Sequence, residues 1–327
     1  MPDADRLAAL DHLDPQVAGL NDAIARQGLI PADPLALPLA EARAAAERIH
    51  HFINGGPDAA PAAILRDVTT AGPAGRLRLR LVRPAGRGAA RLPVLVYFHG
   101  GGFAVNSVDT HDRLLRLLAV RSGAALCAVS YGLAPEHRFP HQHAEARAAL
   151  DWVVREGAAH GLDPERIAVG GDSAGANLAL GAALAARAAG GPRVAFGLLF
   201  YGMFAHDFDT DSHRRYGDGR YGLTTARMRW YWERYLGTAT PTRDPRAAPL
   251  LADLRGLPPL LLLAAGLDCL RDDSLRLAER LGRAGVPHEL AVYERLPHSF
   301  ATMTRFVTAA DRAVTRAAEA VRHHLDA

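Results

Sequence analysis

Ser173 stands in Gly171-Asp172-Ser173-Ala174-Gly175, after the apolar run RIAVGG and before ANLALGAALAARA. A serine hydroxyl attacks poorly until a base takes its proton, and the base needs an acid to hold its tautomer. A strand that enters a tight turn and leaves as a helix makes the strained elbow that holds such a hydroxyl above a sheet. Gly171 and Gly175 flank that crowded turn, where a Cβ would clash. The helix N-terminus favours the negative charge that develops there. Asp268 follows the run PLLLLAAGL, and His298 follows ELAVYE within RLPHSF. Both fall at the C-terminal ends of strands, where open α/β sheets place their chemistry. Ser173, Asp268 and His298 therefore form a candidate catalytic triad in the chain order Ser, Asp, His.

A second motif lies upstream. His99-Gly100-Gly101-Gly102 follows directly on PVLVYF. Glycines let the backbone pass close to a substrate with its N–H groups turned inward, so Gly101, Gly102 and Ala174 are candidate oxyanion donors. A phosphate loop would need a Walker lysine or G-x-G-x-x-G, and neither is present. His99 and Asp172 are assigned support of these loops. Asp272 and Asp273 open the next helix and read as first-turn acids. His141 and His143 in PHQHAEA have no carboxylate or cysteine cluster at ligand spacing, so no metal and no cofactor is expected.

The elements needed to position these residues are legible as alternation. AAILRDV, RLRLRLV, PVLVYFH, ALCAVSY, RIAVGG, AFGLLFY, PLLLLAAG and ELAVYE read as eight strands. Helical spacing fills 109–121, 140–158, 174–189, 271–284 and 305–325. The first two strands are closely joined and predict an antiparallel edge hairpin. The later ones are continuous apolar runs, as in a mostly parallel sheet with helices on both faces. Residues 1–55 read as N-terminal cap helices, 56–202 with 251–327 as the α/β catalytic domain, and 203–250 as an inserted cap segment. Phe204, Phe208, Tyr216, Trp230, Tyr231 and Trp232 of that segment are candidate substrate-pocket walls.

Composition narrows the partners. The chain has 327 residues, 49% apolar and 22% charged, with net charge +3. All its basic side chains are arginine, yet the densest cluster, GRLRLRLVRP, alternates with leucine as a strand with one wet face. No nucleic-acid partner follows. The longest apolar run, around 257–267, is too short to span a bilayer, and no signal-like N-terminus is seen. Two cysteines, Cys127 and Cys269, make no disulfide framework, so a cytoplasmic protein is expected.

These motifs resemble the hormone-sensitive-lipase family of esterases, the HGGG or family IV α/β hydrolases. Tyr131-Gly132-Leu133-Ala134-Pro135-Glu136-His137-Arg138-Phe139-Pro140 is similar to that family's tyrosine-to-PEHxFP segment, with glycine where arginine is commoner. The resemblance implies that this segment props the oxyanion loop, with Glu136 a buried supporting residue. THDRLLRLLA, GDSAGANLAL, LFYGMFAHD and LDCLRDDSLRLAERL are similar to bacterial cytoplasmic acetyl esterases. That implies hydrolysis of short acyl esters, and leaves room for a homodimer and for a regulator protein as partner. Two departures stand out: Asp268-Cys269-Leu270 for Asp-Pro-Leu, and His298-Ser299-Phe300 for His-Gly-Phe. The first suggests an oxidation-sensitive thiol beside the acid. An amidase or formamidase would use the same triad, and a binding receptor can share the scaffold.

Overall fold

The computed structural model describes residues 12–29, 33–55, 61–87 and 90–326. The beginning of the expected N-terminal cap and its boundary at 56–60 lie outside the described residues. Among the described residues the first two helices are α1 (Pro15–Arg26) and α2 (Leu39–Asn54). The Asp14 carboxylate caps α1 by accepting the Gln16 N–H at 2.9 Å, and Pro15 occupies the first turn, where no N–H is needed. α2 stops at Gly55, which takes the left-handed φ of 79°.

Eight strands follow: β1 (Ala63–Gly72), β2 (Gly75–Pro84), β3 (Leu92–Phe98), β4 (Ala125–Ser130), β5 (Leu162–Asp172), β6 (Val194–Phe200), β7 (Leu260–Leu267) and β8 (His288–Pro297). They form one sheet in the order β1-β2-β4-β3-β5-β6-β7-β8. β1 and β2 are the edge hairpin, and β2 also runs antiparallel to β4; every pairing beyond is parallel. All of β3 and β7 is buried, because helices cover both faces. On β3, Val94, Val96 and Phe98 join one core layer while Leu95 and Tyr97 join the other.

The first layer takes α4 (His141–Glu156), α5 (Ala174–Ala188) and α8 (Arg271–Arg283); the second takes α3 (Asp112–Ser122) and α9 (Thr308–Asp326). Between β6 and β7 the chain makes an excursion holding α6 (Asp211–Tyr216) and α7 (Thr225–Leu236). The arginines of β2 meet their own acids: Arg78 and Arg80 pair with Asp67 on β1 and with Asp109. No helix among the described residues is long and apolar enough to cross a membrane.

The strand order is what builds the site. From β3 the chain crosses to β4 on one side and later returns to β5 on the other, a topological switch point. The loops after β3 and β5 therefore leave the sheet side by side, with Phe98 registered against Gly171. Two glycine motifs some seventy residues apart in sequence become neighbours.

Candidate active site

Ser173 sits in the elbow with φ 55° and ψ −118°, a conformation that non-glycine residues rarely take. The turn is closed by backbone packing. A Cβ on Gly171 would lie 2.3 Å from the Gly175 carbonyl oxygen, and one on Gly175 would lie 1.9 Å from the Phe98 oxygen. His298, in the loop after β8, brings Nε2 to 2.9 Å from the Ser173 Oγ. Its Nδ1 lies 2.6 Å from an Asp268 oxygen at the end of β7. The other Asp268 oxygen accepts the Leu270 N–H at 3.0 Å, which fixes the carboxylate's plane. Asp268 is fully buried and His298 nearly so. Such a chain passes the hydroxyl proton to an imidazole whose second nitrogen is already held.

Beside the hydroxyl, Gly101 and Gly102 take φ of 124° and 58°. Their amides, unlike that of Gly100, donate to no acceptor among the described residues. The Ala174 amide opens α5, where the helix leaves it unpaired. Asp172 holds this arrangement from beneath. Its buried carboxylate accepts the Tyr97 hydroxyl at 2.9 Å and the Gly100 N–H at 3.0 Å, and meets His111 Nε2 at 3.2 Å. Burial opposes both charges, but each group sustains the other: Asp172 is held below the usual carboxylate range and His111 above the usual imidazole range. His99 stacks on Tyr131 at 4.3 Å and its Nδ1 lies 2.8 Å from the Gly100 carbonyl. Burial lowers its pKa to about 4, so it is a neutral strut.

A cavity of about 230 Å³ opens over Ser173 and His298, with Gly101 and Gly102 in its floor. α2 contributes Ala46, Ile49 and His50 to its wall; Met203, Leu223, Arg227, Met228 and Tyr231 come from the excursion. The family model described as the alpha/beta hydrolase fold matches residues 95–302, which span both glycine motifs together with Ser173, Asp268 and His298. The chain belongs to the α/β-hydrolase family, in its hormone-sensitive-lipase-like branch. It is 39% identical to esterase LipI of Mycobacterium tuberculosis over 78% of this chain and 81% of that one. With the ethyl acetate hydrolase of Pseudomonas putida it shares 37% identity over 76% of this chain and 79% of the relative. An α/β hydrolase enzyme from the metagenome of Lake Arreo, Spain, superposes with a TM-score of 0.88 at 35% identity, covering 97% of this chain and all of the other.

Within this α/β hydrolase, several expectations need correction. Of the six aromatic residues assigned to the pocket wall, only Tyr231 lines the cavity. Its ring packs over Gly102, where a Cβ would come within 2.3 Å of it. Phe204 and Trp232 are fully buried in the core, Trp232 stacked on His206 at 4.8 Å. Phe208 is covered by Arg229, Trp230 packs with Arg234, and Tyr216 turns to Tyr221. The reason is helical period: Met228, Tyr231, Trp232 and Tyr235 share the buried face of α7, and only its cavity-side edge reaches the site.

Glu136 is not buried. Its side chain is 55% exposed and forms a two-pronged pair with Arg43 of α2, both contacts at 2.8 Å. That guanidinium holds the Glu136 carboxyl down at about 2. The remaining donors of Arg43 reach the Ala104 carbonyl at 2.8 Å and the Ala134 carbonyl at 3.0 Å. Arg43 thus clamps the oxyanion loop to the segment behind it, a link absent from any motif. Arg43→Ala should lower kcat by about tenfold with little change in KM, because the amides lose their fixed aim while the cavity keeps its shape. Steady-state kinetics on p-nitrophenyl acetate, with a melting curve to show folding, decide this.

The surroundings of the Cys269 thiol work against its oxidation. It is buried, and burial followed by the nearby Asp268 and Asp273 charges pushes its pKa far up, which disfavours the thiolate that oxidation needs. Asp273 is more than a first-turn acid: its buried carboxylate accepts the Phe204 and Ala205 N–H groups at 2.6 and 2.9 Å, tying the excursion to α8. Burial raises its pKa to about 7 against these two amides. A folded carboxyl that holds its proton more tightly than the unfolded one stabilises most at low pH, and that stability is lost as pH rises from 4 towards 7. Asp273→Asn should therefore gain roughly 2–3 kcal/mol relative to wild type between pH 5 and pH 8. Urea unfolding at the two pH values tests it; a constant difference would mean the carboxylate is ionised throughout.

Proposed function

We propose that the protein is a serine carboxylesterase acting on short-chain acyl esters, with Ser173 as nucleophile, His298 as base and Asp268 as orienting acid. The observation that carries this reading is the continuous relay from Ser173 Oγ through His298 to Asp268, at 2.9 and 2.6 Å, facing the cavity. His298 takes the hydroxyl proton as Oγ bonds to the ester carbonyl carbon. The amides of Gly101, Gly102 and Ala174 receive the oxyanion. The tetrahedral adduct collapses, the C–O bond to the alcohol breaks, and His298 protonates the departing oxygen. Water, deprotonated by the same imidazole, then releases the acid and restores Ser173.

Cavity size supports the short acyl chain. About 230 Å³ lies below the usual range for sites that enclose drug-sized ligands. A relative named ethyl acetate hydrolase points the same way. Ester rather than amide substrates fit the relatives' names, and an intact relay argues for turnover rather than simple binding. Two buried, unpaired cysteines suit a reducing compartment, so we place the enzyme in the cytoplasm. Hydrolysis of p-nitrophenyl esters from acetyl to dodecanoyl tests the substrate class. Turnover should peak between acetyl and butyryl; a rate that climbs with chain length would overturn the short-chain assignment.

A further inference from the structure

Three side chains on the α2 side of the cavity hold no hydrogen bond to any described residue: the imidazole of His50, the amide of Asn106 and the hydroxyl of Ser299. The loop carrying Asn106 is pinned to α2, since the Ser107 hydroxyl donates to Glu47 at 2.8 Å. Further along the chain from Ser299, Arg305 donates to the Phe52 carbonyl of the same helix at 3.2 Å. Other polar groups nearby are committed. His111, stacked on His50 at 5.9 Å, directs Nε2 at Asp172 and lies with Nδ1 2.8 Å from Thr110. Burial, reinforced by His111, lowers the His50 pKa to about 3, so its ring is neutral and offers one donor and one acceptor. On the excursion side the lining is Met203, Leu223, Met228 and the Tyr231 ring, with Arg227 as its charged residue, so that side is largely apolar.

Polar groups left without partners beside a reacting centre disfavour a purely hydrocarbon occupant, which would shut water away from them. We infer that His50, Asn106 and Ser299 read a second oxygen on the substrate, so that the preferred substrates are short esters carrying a hydroxyl beside the scissile bond. This rests on the esterase reading of Ser173 and sharpens its substrate class.

The test uses two matched pairs of similar size. Propyl acetate against 2-hydroxyethyl acetate places the hydroxyl on the alcohol side, and ethyl 3-methylbutanoate against ethyl 3-hydroxybutanoate places it on the acyl side. Within each enzyme the kcat/KM ratio of the hydroxylated to the plain ester is divided by the same ratio for hydroxide hydrolysis. For wild type, one pair should favour the hydroxyl by about tenfold. His50→Phe keeps the ring stacked on His111, and Asn106→Gly suits a backbone φ of 68°. Both should bring that ratio close to one, and ratios taken within one enzyme cancel any general loss of rate. Wild-type ratios within twofold of one for both pairs, or ratios unmoved in both variants, would overturn the inference. A folded wild-type protein that hydrolyses none of the four esters would instead remove the esterase reading, and this one with it.

Discussion

Ser173→Ala should leave a folded protein whose turnover of p-nitrophenyl acetate is lower by at least about 10⁵-fold. The substitution removes the atom that bonds to the carbonyl carbon, so the covalent route closes. Asp268 and His298 then have nothing to activate except water. The oxyanion amides of Gly101, Gly102 and Ala174 stay in place and account for any residual rate. Stability should change little, because the Ser173 side chain makes one hydrogen bond, to His298, in a cavity already open to solvent. The comparison needs thermal melts of both proteins and protein made without any wild-type carry-over. Residual activity above one part in a hundred would place the nucleophile elsewhere.

Among the described glycines, Gly175 should be the one most damaged by an added methyl group. The new Cβ would lie 1.9 Å from the Phe98 carbonyl oxygen and 2.7 Å from that of His99. These are backbone atoms of the sheet's central strand and the oxyanion loop, so no side chain can rotate aside. The helix α5 would have to lift from β3, breaking the elbow and the core beneath it. Overpacking of this kind usually costs 1–3 kcal/mol, and with backbone on both sides at least about 4 kcal/mol is expected here. Urea unfolding, or failure to recover soluble protein, measures it. Gly19→Ala is the matched control: nothing lies within 4 Å of its Cβ position on α1, so it should be neutral or stabilising by about 0.5–1 kcal/mol. Similar melting for G175A and G19A would show the elbow to be looser than its backbone contacts indicate.

Much of this molecule can be read along the chain because its chemistry is bound to local backbone geometry. A serine in a strained turn needs glycine on both sides, and a loop that aims its amides at a substrate needs positive φ. Both requirements leave glycine patterns visible in GDSAG and HGGG. The buried parallel strands also announce themselves, since a sheet covered on both faces demands continuous apolar runs. The antiparallel edge hairpin followed from a short connection, and the alternating arginines of β2 from its single wet face.

What tertiary structure alone decided lies where distant side chains meet without a backbone signature. Arg43 is one of four charged residues on an amphipathic helix, and nothing in EARAAAERIHH distinguishes its clamp on Ala104, Ala134 and Glu136. The resemblance to PEHxFP marked Glu136 as structural, yet exposure depends on which helix lies above it. The aromatic content of 203–250 pointed to a covering segment, but not to which ring faces the cavity. That choice depends on the rotation of α7 about its own axis, which the core beneath Trp232 and Tyr235 sets. His50 and Asn106 belong to no motif at all. They become a wall only because α2 crosses the loops after β3, a contact between segments more than fifty residues apart that local sequence does not encode.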